Sequence, residues 1–397
     1  MSSSSEGRAG TPPALRLPSV RGLRLAGRRV FIRADLNVPL RSGAVADDSR
    51  IRASQETLDF VRRAGGRVVL ASHLGRPKAA ADAKYSLAPV ARHMGLPLTP
   101  DCVGPAVEAA VAALRDGDAL LLENLRFHAG EEANDPAFVA QLARLCDVYV
   151  NDAFGTAHRA HASTEGLARA CTEVGAGFLL EREVAALSRV RDAPEHPYLC
   201  ILGGAKVSDK LAVLESLAAR ADAVAIGGAM AYTFLLAQGE PVGRSLVEPE
   251  LVGTAKRLLA GKTELLLPVD HVVATSPDDT AGARTVERIP EGAMALDIGP
   301  RSRAALARRI STAKTVFWNG PLGFFERPPF DAGTRAVAEM LASSSAYSVV
   351  GGGDSLAAVQ AAGVGARISH LSTGGGASLE FLEGAALPGV EALRGRA

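Results

Sequence analysis

The chain has 397 residues, a length that predicts about two or three domains of ordinary size, with two the expected number. Lys and Arg total 44 against 43 Asp and Glu, so the formal net charge of +1 lacks the basic excess typical of nucleic-acid-binding proteins. Hydrophobic residues make up 47% and charged residues 22%, which excludes large-scale disorder and supplies enough apolar material for two cores.

The N-terminal segment Met1–Pro13 is rich in Ser, Gly and Pro and has no apolar core, so it predicts a flexible tail and not a secretion signal. The four cysteines, Cys102, Cys146, Cys171 and Cys200, form no Cys-x-x-Cys pair. This spacing argues against a structural zinc site or a disulfide framework, and it predicts buried, reduced thiols.

Short β-branched runs alternate with longer helical patterns along the chain. The predicted strands are Arg29–Ala34, Arg67–Ala71, Ala119–Leu122, Asp147–Val150, Tyr198–Leu202, Ala223–Ile226, Glu264–Leu267, Thr315–Trp318, Tyr347–Val350 and Ile368–His370. The predicted helices include Ile51–Ala64, Pro136–Leu145, Ser208–Ala219, Pro249–Leu259 and Ala332–Ala342. This order predicts an α/β fold of doubly wound parallel sheets, in which ligands bind beyond the carboxyl ends of the strands.

The longest uncharged stretch, Ala223–Gly239, is broken by Gly227 and Gly228 and is too short for a comfortable membrane span. It predicts a strand, a turn and a helix, so we expect a cytoplasmic protein without a membrane partner. A domain boundary is predicted where the charged helical stretch Glu181–Arg191 runs into the proline-containing segment 192–197. We therefore expect a first domain at 1–183, a connecting helix and linker at 184–197, and a second domain at 198–383.

After its strands, the first half of the chain carries arginines, histidines and amides. These segments are Arg33–Asn37, Ser72–Pro77, Glu123–His128 and Gly155–His161. Converging guanidinium groups bind phosphate and carboxylate oxygens, so Arg50, Arg76, Arg126 and Arg159 together predict a site for a small, highly anionic ligand. Any one of them alone is better explained as a surface arginine paired with a nearby acid.

After its strands, the second half carries glycines instead. These runs are Gly203–Lys206, Gly227–Gly228, Asn319–Gly323, Gly351–Asp354 and Gly374–Gly376. Backbone N–H groups at helix N-termini bind phosphate, and glycine permits close approach. Lys206 and Lys210 are expected one helical turn apart and facing one phosphate chain, the alternative being an ordinary turn with exposed lysines.

Some residues of these loops have two interpretations. Asp354 either caps the helix that follows it or holds a magnesium ion. Asn319 and Glu326 follow a predicted strand, where they could bond a ribose hydroxyl. The run Gly353–Leu356 resembles the nucleophile block of one class of serine hydrolases, so Ser355 is an alternative nucleophile, although no Asp follows it to complete a triad.

Other partial matches to known motifs are weaker evidence for a function. Gly261–Thr263 resembles the end of a P-loop, but Lys256 occupies the position that needs the first glycine. No G-x-G-x-x-G sequence occurs, which argues against a Rossmann cofactor site. His158 and His161 have the spacing of a metal-binding pair, but Arg159 between them would repel a cation, so no metal is expected there.

These blocks, in this order, resemble the phosphoglycerate kinase family from about Leu17 to Glu383. The most specific stretches are Ser72–Pro77, Glu123–His128, Val150–His161, Gly203–Lys210, Trp318–Glu326 and Gly351–Ser355. The resemblance implies reversible, magnesium-dependent phosphoryl transfer between 1,3-bisphosphoglycerate and ADP, giving 3-phosphoglycerate and ATP. It also implies two domains separated by a cleft and joined by a hinge helix, with the tail 384–397 packed on the first domain.

The resemblance also implies which residues form the two sites. The 3-phosphoglycerate site would comprise Asp35, Asn37, Arg50, His73, Leu74, Gly75, Arg76, Arg126 and Arg159. The nucleotide site would comprise Lys206, Lys210, Gly227, Gly228, Asn319, Glu326, Gly352, Gly353, Asp354 and Ser355, with Asp354 helping to hold Mg²⁺. The transferred phosphoryl group would be stabilised by Arg50, Lys206 and the N–H groups of Gly374, Gly375 and Gly376.

The expected chemistry needs no general base, because a carboxylate acceptor is already ionised at neutral pH. The expected partners are the two small-molecule substrate pairs alone, with ATP and ADP entering together with Mg²⁺. We expect a monomer that does not bind nucleic acid. A non-enzymatic protein that keeps the fold and both sites without turnover stays open as an alternative.

Overall fold

The computed structural model describes residues 15–78 and 82–394, so the predicted tail Met1–Pro13 lies outside the described residues. The chain divides into two compact units. One contains Leu15–Ala185 and residues 385–394, and the other contains Ala186–Gly384. Within the described ranges, no helix is both long and apolar enough to cross a membrane.

The first unit alternates strands and helices in chain order. Its strands are β1 (Arg29–Ala34), β2 (Leu40–Arg41), β3 (Ala44–Val45), β4 (Arg67–Ala71), β5 (Ala119–Leu121), β6 (Val148–Asp152) and β7 (Val174–Ala176). Its helices are α1 (Ser49–Arg63), α2 (Ala88–Met94), α3 (Pro105–Ala112), α4 (Ala129–Glu132), α5 (Pro136–Ala143) and α6 (Leu167–Ala170). A further helix, α7 (Phe178–Asp192), contains the point at which the two units divide.

Five of these strands form a parallel sheet in the order β5-β4-β1-β6-β7. The strands β4 and β5 therefore follow on one side of β1, and β6 and β7 follow on its other side. Right-handed crossovers in opposite directions place the connecting helices on opposite faces. Buried on both sides, β1 reads as a nearly continuous apolar run, and its Val30 and Ile32 pack with Val68 and Leu70 of β4 in one core.

The second unit repeats this plan with a small additional sheet. Its strands are β8 (Tyr198–Leu202), β9 (Ala223–Ile226), β10 (Glu264–Leu266), β11 (His271–Ala274), β12 (Arg284–Val286), β13 (Met294–Ile298), β14 (Thr315–Asn319), β15 (Tyr347–Gly351) and β16 (His370–Ser372). Its helices are α8 (Leu211–Ala218), α9 (Met230–Ala237), α10 (Val252–Leu259), α11 (Pro300–Thr312), α12 (Ala332–Ser343), α13 (Gly353–Ala361) and α14 (Gly376–Glu383). The short helix α15 (Pro388–Glu391) follows in the C-terminal segment of the first unit.

The main sheet of the second unit has the order β10-β9-β8-β14-β15-β16, and all its pairs are parallel. The order in which the strands are added reverses between β8 and β14, as it does between β1 and β6 in the first sheet. Trp318 of β14 is fully buried among Val316, Ile201 and Val350, and its indole nitrogen donates a hydrogen bond to the Gly320 carbonyl over 2.8 Å. The prediction of an α/β fold with parallel sheets is confirmed.

The predicted element bounds agree best where a strand is buried on both faces. Strands β1, β4, β8 and β9 have the predicted ends. The last strand was predicted at Ile368–His370, but Ile368 packs into the core and His370–Ser372 pairs with β15. The antiparallel sheet of β12, β11 and β13 was not predicted, because its short, partly exposed strands lack a continuous apolar run.

The cysteines agree with the prediction in part. Cys102, Cys171 and Cys200 are buried and Cys146 is partly exposed, and no disulfide joins the four, all of which lie in the described residues. The sulfur atoms of Cys146 and Cys171 lie 3.1 Å apart.

Candidate active site

The polar loops of the first unit leave its sheet at one edge. Arg33 of β1 is in register with Ala71 of β4 and with Asn151 of β6, so these three strands end at the same level. The loops that follow these strands carry Asp35, His73 and Arg159, and Arg126 follows the neighbouring strand β5. Because the strand order reverses between β1 and β6, this edge holds the topological switch point at which open α/β sheets bind ligands.

His73 lies at the centre of a group of arginines. Its side chain is buried, and a guanidinium nitrogen of Arg33 lies 3.2 Å from its Nδ1. Burial holds the pKa of His73 well below its usual value, and the positive charges of Arg33, Arg126, Arg50 and Arg159 lower it further. The ring is therefore neutral. Because arginine can only donate, Nδ1 accepts and Nε2 carries the proton.

Arg126 is held at this site by two fixed partners. Only 5% of its side chain is exposed; Nε lies 3.0 Å from Glu132, and a terminal nitrogen donates to the Gly75 carbonyl over 2.8 Å. Burial lowers the pKa of Arg126, and the charges of Arg159 and Arg33 lower it further. Concentrated positive charge of this kind favours an anion with several charges.

A buried network behind these arginines was not identified from the sequence. Arg33 is 1% exposed and its Nε donates to the Ser163 hydroxyl over 2.8 Å. Ser163 in turn donates through its hydroxyl and its backbone N–H to the two carboxylate oxygens of Glu131, over 2.5 and 3.0 Å. Glu131 is fully buried. An arginine inside the apolar strand β1 was the signal in the sequence, since a buried charge requires a partner.

Asp35 and Asn37 hold neighbouring groups in place. Asp35 accepts a hydrogen bond from Arg50 over 2.5 Å, and Asn37 accepts one from the Gly75 backbone N–H over 2.9 Å. Arg76 is exposed, and its side chain forms no hydrogen bond or ion pair with another described residue. The structure thus brings Asp35, Asn37, Arg50, His73, Gly75, Arg126 and Arg159 into one region, which we call the basic site, and it leaves Arg76 at its surface.

The loop that carries His73 requires glycine at position 75. Gly75 has a φ of +60°, and a Cβ there would lie 2.4 Å from ring carbons of Tyr85. The preceding Leu74 is buried, and its carbonyl accepts a hydrogen bond from the side chain of Asn124 over 2.8 Å. Leu74 therefore supports the loop through packing and its backbone.

The glycine loops of the second unit also leave their sheet at one level. Asn319 is in register with Leu202 on one side and Gly351 on the other, and these pair further with Ile226 and Ser372. The glycines that follow or end these strands are Gly203, Gly227, Gly228, Gly320, Gly351, Gly352, Gly374, Gly375 and Gly376. We call this edge the glycine site.

Lys210 forms hydrogen bonds at the ends of both β8 and β14, the two strands between which the strand order reverses. Its Nζ donates to the Gly203 carbonyl over 2.5 Å, to the Asn319 carbonyl over 3.0 Å and to the Asn319 side-chain oxygen over 2.6 Å. Burial lowers the pKa of Lys210 to about 8, while the negative charges of Asp354 and Asp209 oppose that shift. Lys210 therefore remains mostly protonated at neutral pH, at the position where a polyphosphate would need a cation.

Lys206 differs from Lys210 in its surroundings. A 3₁₀ turn at Ser208–Lys210 precedes α8, so the prediction that the two lysines lie one α-helical turn apart is wrong. Lys206 is exposed, and the loop after it is fixed by Glu248, which accepts from the Val207 and Ser208 backbone N–H groups. Lys210 thus lies inside the sheet edge, whereas Lys206 lies at the surface.

Close packing of backbone explains several of the glycines. Gly228 has a φ of +67°, and a Cβ there would lie 2.5 Å from the Gly204 carbonyl oxygen. A Cβ on Gly203 would lie 2.0 Å from the Pro321 carbonyl oxygen, and one on Gly320 would lie 2.2 Å from that of Gly203. These glycines let the loops pack against each other.

Other glycines face open space. Gly352 is the N-cap residue of α13, with a φ of +89°, and Gly353 and Asp354 form the first turn of the helix. A Cβ on Gly353 would meet nothing within 4 Å. Asp354 is exposed and does not cap the helix, so the capping interpretation of this residue is wrong. Its carboxylate is of the type that magnesium prefers. Glu326 is also exposed.

Ser355 is fully buried, and its hydroxyl accepts a hydrogen bond from the Gly320 backbone N–H over 2.7 Å. A nucleophilic serine must be exposed and paired with a base. The geometry therefore gives no support to a serine hydrolase, and Ser355 instead supports the Gly320 loop beneath the glycine site.

Gly374, Gly375 and Gly376 lead from β16 into α14. Gly375 is the N-cap residue, with a φ of +56°, and no side chain caps the helix. No hydrogen bond from the N–H groups of Gly375 or Gly376 to another described residue occurs. Uncapped N–H groups at the start of a helix form a site for anionic oxygens.

The chain matches the family model for phosphoglycerate kinase over residues 20–385. It is 55% identical over 387 residues to a phosphoglycerate kinase of Solibacter usitatus, covering 94% of this chain and 98% of the relative. It is 53% identical over 394 residues to that of Anaeromyxobacter sp. strain Fw109-5, covering 96% and 100%.

Two solved structures are also similar. Phosphoglycerate kinase from Coxiella burnetii superposes with a TM-score of 0.88 at 40% sequence identity, covering 96% of this chain and all of that one. Phosphoglycerate kinase from Pyrococcus horikoshii superposes with a TM-score of 0.83 at 33% identity, covering 95% of this chain and 98% of that one.

Proposed function

This chain belongs to the phosphoglycerate kinase family, whose members are glycolytic phosphotransferases, and from that premise we propose which of its residues perform each part of the reaction. The enzyme transfers a phosphoryl group reversibly between 1,3-bisphosphoglycerate and ADP, giving 3-phosphoglycerate and ATP. The basic site binds the phosphoglycerate, and the glycine site binds the nucleotide. One observation carries this assignment. The loops at the switch point of the first sheet hold arginine side chains, whereas those at the switch point of the second sheet hold glycines and two lysines.

In the basic site, Arg50, Arg126 and Arg159 bind the anionic groups of the phosphoglycerate. Their charges act on one another and on His73, so the site holds several positive charges without an equal number of acids. A multiply charged anion relieves this repulsion. Neutral His73 offers one N–H donor without a further charge, and Arg33 fixes its orientation. Arg76 adds a further positive charge at the surface of the site.

In the glycine site, Lys206 and Lys210 bind the nucleotide phosphates together with the backbone N–H groups at the start of α13. Magnesium enters with the nucleotide as part of that substrate, and Asp354 is the exposed carboxylate that would hold it. Magnesium bound there would neutralise the negative charge of the phosphates. Asn319 holds Lys210 in position, and Glu326 is available for the ribose hydroxyls.

The reaction needs positioning and charge stabilisation more than proton transfer. The carboxylate of 3-phosphoglycerate is ionised at neutral pH, so no base has to remove a proton. It attacks the terminal phosphorus of ATP in line, and the acyl phosphate bond forms as the bond from that phosphorus to the bridging oxygen breaks and ADP leaves. Arg50, Lys206 and the N–H groups of Gly374, Gly375 and Gly376 stabilise the charge on the phosphoryl group as it transfers. We also propose that the enzyme is a cytoplasmic monomer that bends at a hinge when both substrates bind, since excluding water prevents hydrolysis.

Isothermal titration with 3-phosphoglycerate and with MgADP, separately and together, tests the assignment. Arg126→Ala should lose affinity for 3-phosphoglycerate and keep that for MgADP, because each ligand binds a different unit. Lys210→Met should do the reverse. Arg144→Ala is the matched control, since it removes an exposed arginine of the first unit whose side chain, among the residues that the structure describes, forms an ion pair only with surface Glu108.

Each outcome has a separate meaning. Loss of both affinities in Arg126→Ala would contradict the division of ligands between the sites. Normal binding of both ligands to the wild type without turnover of MgATP and 3-phosphoglycerate would support the non-enzymatic alternative. A steady-state assay on the same preparations distinguishes these results.

A further inference from the structure

Three side chains with metal-ligating atoms meet at the outer end of the first sheet. These are Asp101, Cys102 and His128, whose carboxylate, sulfur and ring-nitrogen atoms all lie within 4.8 Å of one another. His128 Nε2 and Asp101 Oδ1 are 2.7 Å apart. The sulfur belongs to a fully buried residue, whereas the Asp and His side chains are partly exposed. The group is therefore partly open to solvent at Asp101 and His128.

The fold holds these residues firmly. Leu98 bridges to Leu121 of β5, which fixes the start of the segment that leads to Cys102. Thr99 donates through its hydroxyl to the Asp101 carbonyl over 2.6 Å. His128 follows β5 by way of a 3₁₀ turn, and the Phe138 ring stacks on its ring with centroids 5.2 Å apart. Both segments thus reach the end of β5, where their ligand atoms converge.

The donor set points to a particular class of ion. Thiolate and imidazole select soft or borderline ions such as Zn²⁺, whereas magnesium prefers oxygen ligands. In tetrahedral zinc sites with bonds of about 2.0–2.3 Å, neighbouring ligand atoms lie about 3.3–3.6 Å apart. Here His128 Nε2 and Asp101 Oδ1 are 2.7 Å apart, and all three ligand atoms lie within 4.8 Å of one another. The His128 and Asp101 side chains are 32% and 47% exposed, so solvent and ions reach them directly.

We propose that Asp101, Cys102 and His128 bind one Zn²⁺ ion, with water as the fourth ligand. Binding replaces the His128–Asp101 hydrogen bond with two metal bonds. The ring proton of His128 is then carried by Nδ1, and the Cys102 thiol proton is released to solvent, leaving a zinc-bound thiolate. None of the three ligands is among the residues that we assign to the phosphoglycerate or to the nucleotide. It lies two residues from Arg126, so a bound ion fixes the segment on which that arginine is carried.

The test is a Zn²⁺ titration of the full chain against a chromophoric chelator, with a phosphine reductant and millimolar Mg²⁺ present. We expect one equivalent to bind, and Cys102→Ala and His128→Ala each to weaken binding by at least about tenfold, since even residues that only support a ligand contribute that much. Co²⁺ bound in place of zinc should show a thiolate charge-transfer band that Cys102→Ala removes.

His196→Ala is the matched control. His196 and Asp222 are also 2.7 Å apart and partly exposed, but no cysteine completes a group there among the described residues. Removing Cys146 and Cys171 together should also leave the bound equivalent in place, although their sulfur atoms are adjacent.

The proposal is overturned if the wild type takes up no equivalent, or if zinc binding is unchanged in His128→Ala. It is also overturned if the cobalt complex lacks the thiolate band. Should Cys102→Ala fail to fold, as judged by circular dichroism, His128→Ala and Asp101→Asn still decide the question, since both alter partly exposed side chains.

Discussion

Substituting Gly353 tests whether a glycine of this site is needed for ligand binding or for folding. A Cβ on Gly353 would meet nothing within 4 Å, and its φ is ordinary for a helix, whereas Gly228 is left-handed and packed against the Gly204 backbone. The fold therefore requires glycine at 228 but not at 353. If nucleotide phosphate approaches the start of α13 closely, Gly353→Ala should impair binding of MgADP and leave folding intact.

The magnitude follows from the contact that the methyl group would create. Forcing an extra methyl into a close contact costs about 1–3 kcal/mol. At about 1.4 kcal/mol per tenfold, the dissociation constant for MgADP should rise about 5–150-fold. Folding should be unchanged or slightly more stable, since alanine in a helix is favoured over glycine by up to about 1 kcal/mol.

Isothermal titration with MgADP and urea denaturation measure the two effects on one preparation. Gly253→Ala is the matched control, because Gly253 lies in α10 and a Cβ there also meets nothing within 4 Å. It should keep normal affinity. An unchanged dissociation constant in Gly353→Ala would refute the proposed approach of phosphate to this glycine, and an equal loss in both variants would show that the effect is not local.

Lys206→Ala and Arg50→Ala should each lower kcat by about 10²-fold or more, as loss of a preorganised donor does, and near-normal steady-state rates would remove that residue from the transition state. Gly228→Ala should lower the free energy of unfolding by about 2–5 kcal/mol, because left-handed strain adds to a backbone overlap; an unchanged urea midpoint would contradict this packing. Burial raises the pKa of Asp152 from its usual 3.8 to about 7 in the folded chain. The folded chain therefore binds this proton more tightly than the unfolded chain, and stability should fall as pH rises from about 4 to 7. Asp152→Asn should flatten that decline, and the same slope in both proteins would show that Asp152 does not cause it.

Much of the fold could be predicted because its signals are local. Strands such as β1 and β8 are buried on both faces, so each reads as a short apolar run bounded by polar or turn residues. The contrast between the arginine loops and the glycine loops was also visible, since each motif directly follows its strand. The sheet of β11, β12 and β13 escaped prediction because its pairing joins segments whose own patterns are weak.

Sequence by itself determined which chemistry follows each strand: guanidinium groups in one half and bare backbone in the other. Tertiary structure alone decided which groups meet. Lys210 reaches Asn319 across 109 positions, Arg33 turns inward to Ser163, and His128 meets Asp101 across 27 positions. The physical reason is that strand order and register bring distant loops to one sheet edge, and neither property is encoded in the local periodicity of the chain.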